Sequence, residues 1–160
     1  MRKWTATLLA FGLGAGLLVS ACSAPAAKLA AGERTIYLAA IEPKGTTNVS
    51  KEPFPAQALP EGGGYGLDEP DADGNWVVET YRWLPGEITV AQGDRVTLEI
   101  LGVNGDSHPS AIEGYDLTFE VKRGQLTTVT FVADKPGIFK IFCSVHQPSM
   151  TGQLVVLPSS

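Results

Sequence analysis

The stretch Arg95-Val-Thr-Leu-Glu-Ile-Leu101 alternates between polar and apolar side chains. Successive side chains of a β-strand point to opposite faces, so this stretch predicts a strand with one face in a core. Similar segments follow at short intervals, separated by Gly-, Pro- and Asp-containing turns. No stretch has a useful helical periodicity, and the sequence therefore predicts an all-β fold, an antiparallel β-sandwich. The predicted strands cover residues 35–41, 76–84, 87–91, 95–101, 115–121, 126–132, 138–143 and 152–157.

Residues 43–75 interrupt this pattern. They are rich in Pro, Gly, Asn and acidic residues and include the run Glu61-Gly-Gly-Gly-Tyr65. More than thirty residues without regular structure are unusual within a compact domain. The segment is therefore a functional loop, a long irregular hairpin, or a region containing a strand that the local pattern does not reveal.

The N-terminus is typical of an export signal. Arg2 and Lys3 form a positively charged start, and residues 8–19 form an apolar run that is too short to span a bilayer comfortably. The small residues of Val19-Ser-Ala-Cys22 resemble the signal of bacterial lipoproteins, in which the cysteine becomes the lipidated N-terminus. The alternative is an ordinary cleaved signal peptide with an incidental cysteine.

Three regions follow from this interpretation. We expect a lipoprotein signal peptide over residues 1–21, a flexible tether over residues 22–33 and a folded domain over residues 34–160. An acylated Cys22 would attach the domain to the cell envelope, facing the periplasm or the exterior, and would not span the membrane.

The composition limits the classes of partner. Hydrophobic residues make up 44% of the 160 residues and charged residues 18%, which is enough apolar material for one ordinary core. No extended basic run is present, so nucleic acid is not an expected partner. Loss of the two basic residues in the signal peptide would change the formal net charge from −5 to −7. An acidic domain of this kind can attract a basic partner protein.

Apart from Cys22, one group of side chains contains every soft and imidazole ligand that remains after the predicted signal peptide is removed. Cys143-Ser-Val-His146-Gln-Pro-Ser-Met150 holds three of them within eight residues, and His108 follows the strand predicted at 95–101. Cys143 ends a predicted strand on its apolar side, so the thiol is expected at the rim of the core. A lone thiol in an exported protein is open to oxidation unless it is buried or bound.

These residue types suit copper. A thiolate with two imidazoles forms a trigonal set, and a thioether adds a weak axial bond, as in blue-copper sites. Such a set serves both Cu(I) and Cu(II) with little rearrangement. Zinc is a weaker hypothesis because methionine is a poor zinc ligand. The structural alternative is a buried cysteine that acts as a small hydrophobe, a methionine that fills the core and histidines without a role.

At these residues the chain resembles the cupredoxins, the small blue copper proteins. The resemblance covers about residues 85–157 and includes the segment Pro85–Val96, the turn at His108, the segment Val129–Gly137 and the Cys-x2-His-x3-Met loop. It implies a Greek-key sandwich with one copper ion and single-electron transfer. The partners it implies are exported redox proteins, such as c-type cytochromes or an oxidase or reductase.

Within that group the layout is most similar to nitrosocyanin, whose copper is bound by a glutamate, a cysteine and two histidines. Ser107-His108 stands where that glutamate would lie, and Met150 stands near its last histidine. Both departures favour an electron-transfer site. The dinuclear copper domain of cytochrome oxidase subunit II is also similar, but it requires two cysteines in the ligand loop, and this loop has one.

Pro109 is a further departure. In many cupredoxins the residue after the first histidine donates its backbone N–H to the thiolate, and proline has no N–H. We expect this loss to raise the reduction potential, because hydrogen bonds around the metal ligands tune it.

Two other functions remain open. One is a copper site that binds a small molecule such as nitric oxide, which requires an open coordination position. The other is storage or delivery of copper at the envelope. A Ser-His-Asp hydrolase is not expected, because both histidines already belong to the candidate copper site.

Overall fold

The structure is a computed structural model and describes residues 30–60 and 64–159. The predicted signal peptide, Cys22 and the first part of the predicted tether therefore lie outside the described residues. Every regular element within the described residues is a strand: β1 Glu33–Ile41, β2 Lys44–Asn48, β3 Tyr65–Asp68, β4 Asn75–Thr80, β5 Arg82–Leu84, β6 Glu87–Ala91, β7 Arg95–Gly102, β8 Ser107–Ile112, β9 Leu117–Lys122, β10 Leu126–Val132, β11 Gly137–Cys143 and β12 Thr151–Leu157.

No helix in the described part of the chain is long and apolar enough to cross a membrane.

Two sheets form the sandwich, and the predicted all-β class is confirmed. One sheet has the order β10-β7-β1-β5 and the other the order β6-β12-β11-β8-β9. In β7 the apolar residues Val96, Leu98 and Ile100 are buried, as the alternation predicts. They meet residues such as Ile141 and Leu154 of the opposite sheet in one hydrophobic core.

The sheets are mixed rather than purely antiparallel, which corrects that part of the prediction. β1 pairs in parallel with β7 over eight residue pairs, and β12 pairs in parallel with β6. Local alternation specifies that a segment is a strand, but it carries no information about the direction of the neighbouring strand. The remaining pairs in the sandwich are antiparallel.

A strand that the sequence did not predict, β8, lies between β11 and β9. It contains Pro109, and proline is disfavoured in a central strand because it cannot donate to the ladder. Here the pairing with β11 ends at Ser110, opposite Cys143, so Pro109 faces no β11 residue in that register. His108 therefore lies in a strand and not in a turn.

Residues 43–75 contain strands that the local pattern did not reveal, which was one of the three interpretations. β2 and β3 pair with opposite edges of β4 in a small third sheet. The single strand predicted over residues 76–84 is in fact two strands in different sheets, β4 and β5, with Tyr81 at the break. Tyr81 thus joins the small sheet to the sandwich.

The end of the sandwich at which β7 begins is closed by a buried carboxylate. Asp94 is fully buried and accepts hydrogen bonds from the backbone N–H groups of Gly32 and Ala91, each at 2.7 Å. It also pairs with the guanidinium of Arg34. Burial alone would raise the pKa of Asp94, but these donors lower it below its ordinary value of 3.8. They also attach residues 30–34 to the domain.

Candidate metal centre

Three of the four predicted ligands converge at the opposite end of β7. The ligand atoms of His108, Cys143 and His146 all lie within 4.8 Å of one another. The two Nδ1 atoms are 3.2 Å apart, and Cys143 Sγ is 3.3 Å from His146 Nδ1. One thiol and two imidazole nitrogens therefore face a common point.

His108 is held by its strand and by a hydrogen bond. The residues directly before and after His108 in β8 are half-buried, whereas His108 itself is fully buried. Its Nε2 lies 3.1 Å from the carbonyl oxygen of Asn104, to which it donates. That bond leaves Nδ1 as the free lone pair, directed at Cys143 and His146.

Cys143 is the last residue of β11 and is fully buried, at the rim of the core as predicted. Its backbone N–H donates to the carbonyl of Met150 at 3.0 Å, and the N–H of Met150 donates to the carbonyl of His146 at 2.9 Å. These two bonds close the loop 144–150 into a compact turn. The loop therefore returns Met150 to the end of β11.

Met150 is fully buried and belongs to the hydrophobic core cluster. Its backbone position is settled by the loop bonds, and its role as the axial ligand stays a prediction. Pro109 also lies at the site: its carbonyl accepts the N–H of Ser144 at 2.8 Å. The predicted effect of Pro109 on the thiolate likewise stays a prediction.

Tyr81 is a neighbour of the site that the sequence did not reveal. Its ring stacks on the imidazole of His146 with centroids 3.7 Å apart and an interplanar angle of 3°. The same ring meets His108 edge-on at 5.9 Å. Tyr81 is separated from both histidines by more than twenty residues, and no local motif signals such a contact.

Glu42 and Asn104 form a second polar layer behind the two histidines. The side chain of Asn104 accepts the N–H of Glu42 at 2.8 Å and donates to its carbonyl at 2.7 Å. Burial opposes ionisation of Glu42, but interactions with Tyr81 and Lys44 lower the pKa of its carboxyl overall. The layer is therefore anionic and lies beside the candidate ligands.

The electrostatics favour neutral imidazole at the site. Burial lowers the pKa of His146, and the nearby His108 lowers it further, although Glu42 opposes both effects. Metal ligation requires an unprotonated ring nitrogen, so a depressed pKa assists binding at neutral pH. A cysteine with two histidines is the donor set of blue-copper sites, and these residues fit a copper ion.

Comparison with known proteins supports this interpretation. A family model described as a cupredoxin-like domain matches residues 69–156, more than half of the chain. The nitrous-oxide reductase of Stutzerimonas stutzeri is 35% identical over 81 residues, and that of Ralstonia nicotianae is 39% identical over 61 residues. These alignments cover 46% and 36% of this chain but only 12% and 9% of the two reductases.

Solved structures show the same fold. A copper nitrite reductase from Nitrosomonas europaea matches with a TM-score of 0.52 and 19% identity, covering 79% of this chain and 42% of that chain. The multicopper oxidase mgLAC matches with a TM-score of 0.53 and 20% identity, covering 80% of this chain and 40% of its own. At these identities the likeness concerns the fold alone.

Proposed function

Because the chain belongs to the cupredoxin-like domain family and is a copper-binding domain, we propose that it carries single electrons between exported redox proteins. In this proposal His108, Cys143 and His146 bind one copper ion as equatorial ligands, and Met150 is the weak axial ligand. The observation that carries it is the convergence of one thiol and two imidazole nitrogens within 4.8 Å.

The surroundings of the three ligands support electron transfer. When bound, copper supplies a one-electron Cu(I)/Cu(II) couple through a trigonal thiolate and imidazole set. Cys143 and His108 are fully buried, and each is held by a strand of the same sheet. Rigid, water-shielded ligands keep their geometry when the charge of the site changes. Such a site needs little rearrangement for each electron.

His146 supports a route for electrons to a partner. It lies in the loop 144–150 and is half-buried, with Val145 and Gln147 exposed on either side. An imidazole at the protein surface brings a metal-bound ring within reach of a docked redox protein. The ring of His146 is thus the proposed point of contact with a redox partner.

The cellular setting is part of the proposal. Lipidation at Cys22 would place the domain on the cell envelope, facing the periplasm or the exterior, where c-type cytochromes or an oxidase or reductase are suitable partners. The chain spans only a small part of the nitrous-oxide reductases that it matches, and we do not assign their reaction to it.

The test is the visible spectrum of the purified protein loaded with Cu(II). We expect an intense thiolate-to-copper band that disappears in Cys143→Ser and remains in Ser144→Ala, the matched control at the exposed neighbouring residue. A Cys143→Ser protein that kept the band would contradict the ligand assignment.

Added azide separates the proposal from its main alternative. A wild-type spectrum unchanged by azide fits a closed electron-transfer site. A clear shift would instead favour a copper site open to small molecules. Reversible oxidation and reduction without loss of metal would argue against copper delivery.

A further inference from the structure

The two histidines of the site are held in different ways. His108 lies in β8 and donates from Nε2 to the carbonyl of Asn104. His146 lies in a loop, and within residues 30–60 and 64–159 its recorded protein hydrogen-bond contacts involve Nδ1 and not Nε2. A histidine ligand usually needs such a partner, because the second nitrogen sets the orientation of the ring. His146 has the ring of Tyr81 instead, stacked on it at 3.7 Å and nearly parallel.

The chain next to Tyr81 is held by hydrogen bonds to two other segments. The preceding residue, Thr80, donates from its backbone N–H to the carbonyl of Pro43 at 3.1 Å and from Oγ1 to the carbonyl of Gly64 at 2.7 Å. The Tyr81 ring also lies edge-on to His108, with centroids 5.9 Å apart.

The packing around Tyr81 leaves little room for movement. Gly105 has a φ of +77°, and a Cβ at that position would lie 2.8 Å from His108 Cε1 and 3.3 Å from Tyr81 Cε1. Asn104 restrains His108 through its carbonyl, whereas His146 is restrained by the ring of Tyr81.

We infer that Tyr81 is a positioning residue for the copper site, which fixes the His146 imidazole by stacking and thereby helps to set the reduction potential. This inference rests on the proposed copper function. A phenol ring above a copper-bound imidazole donates electron density through its face and favours the more positive Cu(II) state. The stack also prevents the loop-held ring from rotating when the copper changes its charge. The electron donation lowers the potential relative to an unstacked site, and the restraint on the ring keeps the rearrangement at each electron transfer small.

The experiment compares Tyr81→Leu and Tyr81→Phe in the full copper-loaded protein. Tyr81→Phe keeps a ring over His146 and is expected to retain the copper hyperfine pattern in paramagnetic resonance. Tyr81→Leu removes the ring and is expected to shift the reduction potential upward and to change that pattern. Tyr37→Leu is the matched control, because Tyr37 is 74% exposed on a sheet face and its loss should change neither.

A second measurement does not depend on copper. In the metal-free protein the ring protons of His146 should be shifted upfield in nuclear magnetic resonance by the stacked tyrosine. Tyr81→Phe should retain this shift and Tyr81→Leu should lose it. If Tyr81→Leu does not fold, the upfield shift of the His146 ring protons in the wild type and in Tyr81→Phe still tests the stacking. Its absence from the wild type would overturn the inference.

The two proposals fail in distinguishable ways. If wild-type protein shows the intense copper band and Tyr81→Leu keeps both its potential and its hyperfine pattern, the positioning role is wrong and the copper function stands. If the wild type shows no such band while the His146 protons are still shifted, the copper function is wrong and the stack is only structural.

Discussion

The two ends of the sandwich each bury a polar cluster, but the clusters differ in how their hydrogen-bonding groups are matched. At one end Asp94 accepts from Gly32, Ala91 and Arg34, so its negative charge is surrounded by donors. At the other end the two imidazole nitrogens and the sulfur face one another within 4.8 Å. The first cluster is complete without any added group, whereas the second presents its lone pairs to a common point.

This difference separates a structural cluster from a binding site. A buried polar group is stable when its donors and acceptors are paired. Three acceptor-rich groups directed at one position are instead suited to a cation, which satisfies all of them at once. The Asp94 cluster therefore stabilises the fold, and the cysteine-histidine cluster is suited to bind a metal ion. Substitutions in each cluster test that distinction.

The largest effect is expected from removal of either histidine. His108→Gly and His146→Gly should both lose most of the visible copper band. Added imidazole should restore the band in His146→Gly, because His146 is partly exposed, but not at the same concentration in His108→Gly, where the vacated space is buried. Absorption titration with imidazole measures both. Equal recovery of the copper band in the two variants would contradict the difference in burial between His108, in its strand, and His146, in its loop.

An intermediate effect is expected at the other end. Asp94→Asn replaces an acceptor oxygen with an N–H₂ group that opposes the existing donors, and it should lower the free energy of unfolding by about 1–3 kcal/mol. Because the folded-state pKa of Asp94 lies below 3.8, wild-type stability from this group is present above that value and is lost as the pH falls through the lowered pKa. Denaturant unfolding from pH 7 downward should show a larger loss of stability in the wild type than in Asp94→Asn, because carboxyl groups such as Glu42, whose pKa is also lowered, remain in both proteins.

Asp106→Asn is the matched control for this change, because the side chain of Asp106 is 95% exposed. It should leave the unfolding free energy within about 0.5 kcal/mol of the wild type. Copper binding should survive Asp94→Asn at neutral pH. A variant that lost copper without losing stability would show that the two ends are not independent.

The smallest effect is expected at Pro109, on the strand side of the metal centre. Pro109→Asn restores a backbone N–H, and the expectation from the sequence is a lower reduction potential, because hydrogen bonds around the metal ligands tune it. Pro109→Ala restores the same backbone N–H without adding a side-chain amide and should lower the reduction potential to a similar extent. A redox titration measures both variants. An unchanged or higher reduction potential would contradict the prediction that Pro109 raises it.

Much of the fold was predictable because strands have a local signature. The alternation in β7 and the apolar face of β11 can be read from a few adjacent residues. β8 was missed because Pro109 and its small polar neighbours do not form such a pattern. The division between β4 and β5 was missed because both halves are strand-like, and only their pairing with different sheets separates them.

The ligands of the candidate site were predictable from the sequence, but the residues that support them were not. Cys143, His146 and Met150 lie close together in the sequence, so their spacing alone suggested one loop. Supporting residues such as Asn104 and Tyr81 were not predictable, since they are common residue types that act through distant contacts. Glu42 and Asn104, for example, are 62 positions apart.

The amino-acid sequence by itself determined which segments are strands and which side chains are able to bind copper, because both follow from residue chemistry and short-range periodicity. The tertiary structure decided how those parts meet: the parallel pairing of β1 with β7, the strand beneath His108 and the ring stacked on His146. Such contacts join positions far apart in the chain. They exist only once the sheets have packed, and no local pattern encodes them.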